Sequence, residues 1–276
     1  MNGLKQILDF YISSSIHVAL SVFSFTWITL ILFDVAFDEN VLFFNFFASI
    51  TGYNFVKYFG LAKFHHRSLT KRLKVVQVFS LICFLLMCFY TLQLQMKTIL
   101  FIAGFGVITF LYAIPFLPKR FFMDSNQNLR NIGGLKVYVI GMVWSGVTVF
   151  LPLLNTNFDI NTDVVITAVQ RFLFIVVLMM PFEIRDLQYD SLKLSTIPQK
   201  IGVRQTKLLG IVALSLFFFL DFFKNEMKSN LVIAHFAITF LTLLLLVFAK
   251  ENQGKYYSAF WVEAIPIFWL LLIMIL

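Results

Sequence analysis

The chain has 276 residues, of which 60% are hydrophobic and only 13% charged, with 36 Phe, a formal net charge of +8 and a mean hydropathy of +0.87. Soluble domains run at roughly 45–50% apolar and about 25% charged residues, so a water-soluble protein is excluded and an integral membrane protein is expected. Cys83 and Cys88 lie in one apolar stretch at a spacing that suits neither a metal pair nor a disulfide framework, and they read as packing residues.

A spanning helix needs about 20 mainly apolar residues. The first fourteen residues place Leu4, Ile7 and Leu8 beside Lys5 and Asp9, a short amphipathic pattern that suits a helix lying on the membrane face. No small-residue cleavage pattern follows, so a signal peptide is not expected. Nine apolar windows come next, at residues 16–37, 41–62, 75–93, 97–117, 135–154, 163–182, 207–223, 230–249 and 257–276. No low-complexity linker separates them. The sequence therefore reads as a single all-α, multi-pass membrane domain over residues 1–276, with about nine transmembrane helices.

Basic residues gather on one side of this arrangement. Lys5, the group from Lys63 to Lys74, Lys119 to Lys136, Arg185 to Lys207, and Lys250 with Lys255 all fall at the N-terminus or in even-numbered connections. The opposite side holds Lys97, Lys224 and Lys228 with Asp34, Asp38, Glu39, Asp159 and Asp163. The positive-inside rule then sets the N-terminus in the cytoplasm and the C-terminus outside, in a bacterial inner membrane on this reading. Basic loops facing anionic membrane lipid account for the +8 charge, and no nucleic-acid partner is implied.

The densest charged interruption is Phe182-Glu-Ile-Arg-Asp-Leu-Gln-Tyr-Asp190, at the inner end of the sixth window. Glu183, Asp186 and Asp190 share one helical stripe. Aligned carboxylates repel one another, so the stripe requires cations: Mg²⁺ carrying a diphosphate, or nearby Lys and Arg. A solvated helix end partnered by Arg185 and Lys193 is the simpler alternative. His65 and His66, in the basic loop after the second window, read as solvated residues. Arg171 and Glu263, inside the sixth and ninth windows, read as structural charges.

The run from Pro181 to Asp190, followed by Lys193, Thr196-Ile197-Pro198 and Gly202, resembles the second aspartate-rich motif of the UbiA superfamily of intramembrane prenyltransferases. Nine helices with a cytoplasmic N-terminus match that family too. The resemblance implies Mg²⁺ held between aspartate-rich motifs on the second and sixth helices. It also implies an isoprenyl diphosphate as substrate and a lipid-soluble acceptor that attacks the allylic carbocation. Carried over by position, Asp186 and Asp190 become metal ligands, Glu183 an accessory ligand, and Arg185 and Lys193 phosphate contacts. Tyr112, Pro115 and Pro118, ahead of Gly133-Gly134, resemble the helix end that caps the family's cavity.

The first motif of the family, N-D-x-x-D-x-x-x-D, is broken here. Asn54 is retained, but Phe55, Tyr58 and Ala62 stand where the aspartates belong. None of the three is a ligand for a hard cation. Lys57 falls in the same stretch and is expected to pair with Asp186 or Asp190, taking over part of the role of Mg²⁺. Two functions follow: a divergent transferase in which Lys63, Arg67, Lys71 and Arg72 supplement one metal, or a non-catalytic prenyl-lipid carrier, scaffold or complex subunit.

Overall fold

The structure is a computed structural model, and it describes residues 3–64, 71–113, 135–188, 196–225 and 229–276. Regular structure among the described residues is helical throughout: α1 Gly3–Ser13, α2 Ile16–Leu32, α3 Glu39–Phe64, α4 Lys71–Thr91, α5 Met96–Ala113, α6 Leu135–Ser145, α7 Leu151–Asn155, α8 Thr162–Asp186, α9 Ile197–Phe219, α10 Ser229–Phe248 and α11 Ile265–Ile275. Each of the nine apolar windows falls on helix. The chain is an all-α integral membrane protein.

Among the described residues, six segments are apolar and long enough to cross a bilayer, or seven if α1 and α2 form one bent span. The difference from nine has a chemical cause. Residues Asn45, Thr51, Asn54 and Lys57 interrupt the apolar run of α3, and α5 is followed only as far as the described residues reach.

Two π-helical turns shape the bundle, Gly146–Phe150 between α6 and α7 and Tyr257–Val262 ahead of α11. Each precedes a proline near a helix start, Pro152 in α7 and Pro266 in α11. Proline has no N–H for the carbonyl one turn back, and a widened turn accommodates that loss without ending the helix. Helix α8 starts on Asn161, whose side chain accepts from the Val164 amide at 3.0 Å. Its ends carry Asp163 and Arg185, signs that complement the helix dipole.

The largest core joins α2, α6, α8, α9, α10 and α11. Phe25, Phe174, Phe217 and Trp269 are fully buried at its centre, with ring centroids 4.8–6.0 Å apart in edge-on and tilted pairs. Such aromatic pairs stabilise by about 0.5–1.5 kcal/mol each beyond burial. Helix α4 stands at the periphery, presenting Val78, Leu81, Phe84 and Leu85 outward as a lipid-facing surface. Cys83 packs inward against Ala19 and Ile50, as expected, whereas Cys88 is exposed on α4 and packs against no core.

Candidate functional site

Helices α1 and α2 meet at a 60° bend over Ser14 and Ser15. Ser15 adopts φ 65°, the left-handed region that non-glycine residues seldom enter, and this turns the chain sharply enough to break the helix. Both serines are fully buried. A polar corner inside a hydrophobic bundle needs partners, and α3 supplies them. Asn54 Nδ2 donates to the Ser14 carbonyl at 3.0 Å and to Ser80 Oγ at 2.8 Å, while its Oδ1 accepts from Ser15 Oγ at 2.8 Å. Tyr58 OH donates to the Ser13 carbonyl at 3.0 Å. Lys57 Nζ donates to Ser15 Oγ at 2.8 Å.

This corner gives the broken first motif a physical meaning. Asn54, Lys57 and Tyr58 form one stripe on α3, and all three fasten the elbow between α1 and α2. The stripe presents an ammonium, a phenol and an amide already committed to serine partners. That donor set does not fit a hard divalent cation, which takes carboxylate or similar oxygens. Among the described residues no cluster of three or more His, Cys, Asp or Glu is arranged to hold a metal.

The wall from α8 differs from expectation in two respects. Asp186 Oδ1 accepts from its own neighbour Arg185, at 2.8 Å from Nε and 2.7 Å from the terminal nitrogen, so the expected Lys57–Asp186 pair is not formed. Sequence adjacency makes the Arg185 contact the easier one, and Lys57 is drawn instead to Ser15. Glu183 is 1% exposed, and its Oε2 accepts from the Ile197 amide at 3.2 Å. That bond ties the end of α8 to the start of α9, where Gln199 Oε1 also accepts from the Thr196 amide at 3.0 Å. Gly202 follows at φ 81°, ψ 161°, a kink inside α9 that glycine adopts without steric penalty. Asp190, Lys193 and Arg67, and the side chain of Lys63, lie outside the described residues, as do His65, His66, Pro115, Pro118, Gly133, Gly134 and the side chain of Tyr112.

From the sequence, Glu263 reads as a structural charge. It interacts electrostatically with both Lys57 from α3 and Arg185 from α8. Its backbone carbonyl accepts a short hydrogen bond from Ser21 Oγ, which fixes α2 against the turn ahead of α11. His17, one turn from Ser21, takes Tyr11 OH on Nδ1 at 2.7 Å and meets the Phe260 carbonyl through Nε2 at 2.9 Å. Lys57 and Arg185, from separate helices, thus both lie within electrostatic range of the Glu263 carboxyl. The signal was present in the sequence as an intramembrane carboxylate, and such groups are functional candidates by default.

Arg171 occupies a different setting, deep in the core and 1% exposed. One terminal nitrogen donates to the Phe25 carbonyl at 3.0 Å, and the guanidinium lies 4.1 Å from the Phe25 ring centroid and 5.4 Å from that of Trp269. No carboxylate among the described residues forms an ion pair with it.

No family model matches the sequence, and no curated protein matches it. Among solved structures, a digeranylgeranylglyceryl phosphate synthase, a UbiA-type prenyltransferase studied in membranes, superposes with a TM-score of 0.57 over 97% of this chain and 97% of its own, at 15% sequence identity. The chain therefore shares the fold of a membrane prenyltransferase.

Proposed function

We propose that this protein binds a polyprenyl phosphate or diphosphate at the motif end, with Lys57 and Arg185 supplying the positive charge that meets the phosphate. The observation that carries this reading is that Lys57 of α3 and Arg185 of α8 both lie within electrostatic range of Glu263. In the resting state Arg185 is paired with Asp186, and Lys57 is held by Ser15 within electrostatic range of Glu263. An arriving phosphate displaces those partners and gains charge-assisted contacts, which are roughly twice as strong as neutral ones. The likeness in fold to a prenyltransferase supports an isoprenoid as the apolar part of the ligand, and the bundle lies in the membrane where such a chain partitions.

Were transfer to follow, the bond from the prenyl carbon to the bridging phosphate oxygen would break, the electron pair leaving with the phosphate. A lipid-soluble acceptor would then attack the allylic cation. Lys57 and Arg185 act on the departing charge, where preorganised cations have their largest effect. Asp186, with Asp190 outside the described residues, offers at most one half of a Mg²⁺ site, since the α3 stretch from Asn54 to Ala62 contains no carboxylate. One observation favours a second reading, a non-catalytic prenyl-lipid carrier or complex subunit: the α3 stripe that holds metal ligands in the UbiA family is here engaged in holding the elbow.

The test is binding of geranylgeranyl diphosphate to the protein in nanodiscs, with and without Mg²⁺. Saturable binding that persists in chelator and weakens about tenfold or more in Lys57→Met and Arg185→Gln supports the proposal, matching the loss of one hydrogen bond to a charged group. Absence of saturable binding, or affinity unchanged in both variants, overturns it. Release of pyrophosphate in the presence of membrane lipid extract separates the transferase from the carrier.

A further inference from the structure

The largest described cavity, about 340 Å³, lies at the end of the bundle away from Lys57 and Arg185. Asp163 and Asp186 mark the two ends of α8, roughly 35 Å apart at about 1.5 Å per residue. The floor is a buried polar group. Asp221 Oδ1 accepts from Gln170 Nε2 at 2.8 Å and pairs with Lys224 Nζ at 2.9 Å, while Oδ2 makes a short contact with His235 Nδ1. At the rim, Asp163 accepts from the Asn225 backbone amide and, at 2.9 Å, from its side-chain Nδ2. Asp34 also lies at the rim and is engaged by a partner of its own within the protein. Charges of both signs therefore surround this space, with Lys224 at the wall and Arg171 beyond His235 set against the carboxylates. A bare cation or a bare anion is matched on one side and opposed on the other. A neutral molecule that both donates and accepts hydrogen bonds is matched throughout.

His235 supplies an acceptor that the protein leaves unmet. The residue is 4% exposed and lines the cavity. Because Nδ1 faces the Asp221 carboxylate, the neutral imidazole carries its hydrogen there and presents Nε2 as a lone pair. Nε2 makes no hydrogen bond with any described residue. The indole Nε1 of the adjacent Trp269 is unpaired and sealed off, whereas Nε2 of His235 keeps a surface open to the cavity. A donor that enters gains a bond which folding alone does not make. Donors stand nearby. Asn161 Oδ1 is taken by the Val164 amide, which leaves Nδ2 to donate, and Lys224 has further N–H groups beyond its bond to Asp221. Phe33 and Phe158, packed edge-on with ring centroids 5.4 Å apart, give the cavity an apolar side.

We propose that this cavity is a second ligand site, which takes a neutral polyol of monosaccharide size, either free or as the headgroup of a glycolipid. One hydroxyl donates to His235 Nε2. Others accept from Lys224 and Asn161 and donate to the spare lone pairs of Asp163. A hydroxyl both donates and accepts, so a polyol satisfies a wall of mixed donors and acceptors that no simple ion can. Its C–H surface packs on Phe33 and Phe158, away from water. The volume is at the lower end of the range for small-molecule pockets, and too large for a bare ion. This inference is independent of the reading at the motif end.

The experiment is a saturation-transfer NMR titration of the full chain in phosphatidylcholine nanodiscs with glucose, and with methylammonium and acetate as ionic comparisons. Glucose is expected to saturate and to bind roughly tenfold or more tightly than either ion. His235→Asn keeps an amide that donates to Asp221 and places nothing at the position of Nε2. It is expected to weaken glucose about tenfold, the loss of one hydrogen bond. Asp163→Asn keeps an oxygen for Asn225 and removes the charge, and it too is expected to weaken glucose about tenfold. Asp163 stands at the start of α8, away from the packed core, so this variant tests the site even where the change at His235 lowers stability. Adding a monoglucosyl diacylglycerol to the nanodisc distinguishes the sources. Weaker apparent affinity for free glucose identifies the glycolipid headgroup as occupant, and unchanged affinity identifies the free polyol. No saturable glucose binding, either ion binding as tightly as glucose, or parent affinity in either variant overturns the proposal.

Discussion

Lys57 Nζ reaches Ser15 Oγ at 2.8 Å, so the one lysine in the middle of α3 is bonded to the residue whose left-handed backbone breaks the first helix from the second. The hydroxyl passes its own hydrogen to Asn54 Oδ1, which closes a chain of contacts from α3 through the elbow and back. A cation expected from the sequence to pair with Asp186 or Asp190 in place of part of the metal is thereby part of the scaffold.

Asn54 is the hub of that corner. Asn54→Leu removes three hydrogen bonds and leaves the buried Ser14 carbonyl without its side-chain donor. We expect a loss of about 2–3 kcal/mol, at roughly 1 kcal/mol per bond, read as a lower unfolding midpoint in detergent. A change below about 0.5 kcal/mol would show that the elbow is held by packing alone.

The kink at Gly202 makes a second prediction. Its φ of 81° with ψ of 161° is barred to side chains, although nothing lies within 4 Å of where a Cβ would sit. Gly202→Ala is therefore expected to cost about 1–3 kcal/mol through backbone strain and not through collision. Thermal unfolding of that variant beside the exposed-site control Gly254→Ala checks it.

Arg171→Lys keeps the charge and loses the planar stack on Phe25 and Trp269. The compact ammonium is more strongly hydrated and makes no equivalent stack. A destabilisation of about 1–3 kcal/mol is expected, with Trp fluorescence reporting the rearranged core. An unaltered unfolding midpoint would assign Arg171 no part in packing.

The contact between Lys255 and Asp9, at 2.5 Å, fastens α1 to the loop before the last helix. Its hydrogen bond to Asp9 raises the lysine above its ordinary value of 10.5. A raised folded value means the stabilisation is complete below pH 10.5 and is lost as pH climbs through the raised value. Because the lysine side chain is largely exposed, Lys255→Met should differ from the parent by less than about 1 kcal/mol at pH 7, and the difference should vanish in strong alkali. A gap that widened with pH would contradict the assignment.

The fold was legible because apolar length is a local property. Each window could be counted without knowing its neighbours, and the prolines at 152 and 266 fall where the helices change pitch. The α8 acids Glu183 and Asp186 were equally visible, since i, i+3 spacing needs only one helix. Their partners were not. Arg185 won Asp186 by adjacency, Glu183 turned to an amide fourteen residues on, and Glu263 came to Lys57 from the far end of the chain. The second cavity was hidden for the same reason. Asp221 and His235 sit in apolar windows on different helices, and nothing in either window states that α8 brings Asp163 and Gln170 beside them.

Arg171, set against the Phe25 and Trp269 rings in the core, is a buried positive charge with no carboxylate in ion-pair contact among the described residues. A fixed positive charge in so dry a setting repels any proton or metal ion advancing along the interior from either mouth.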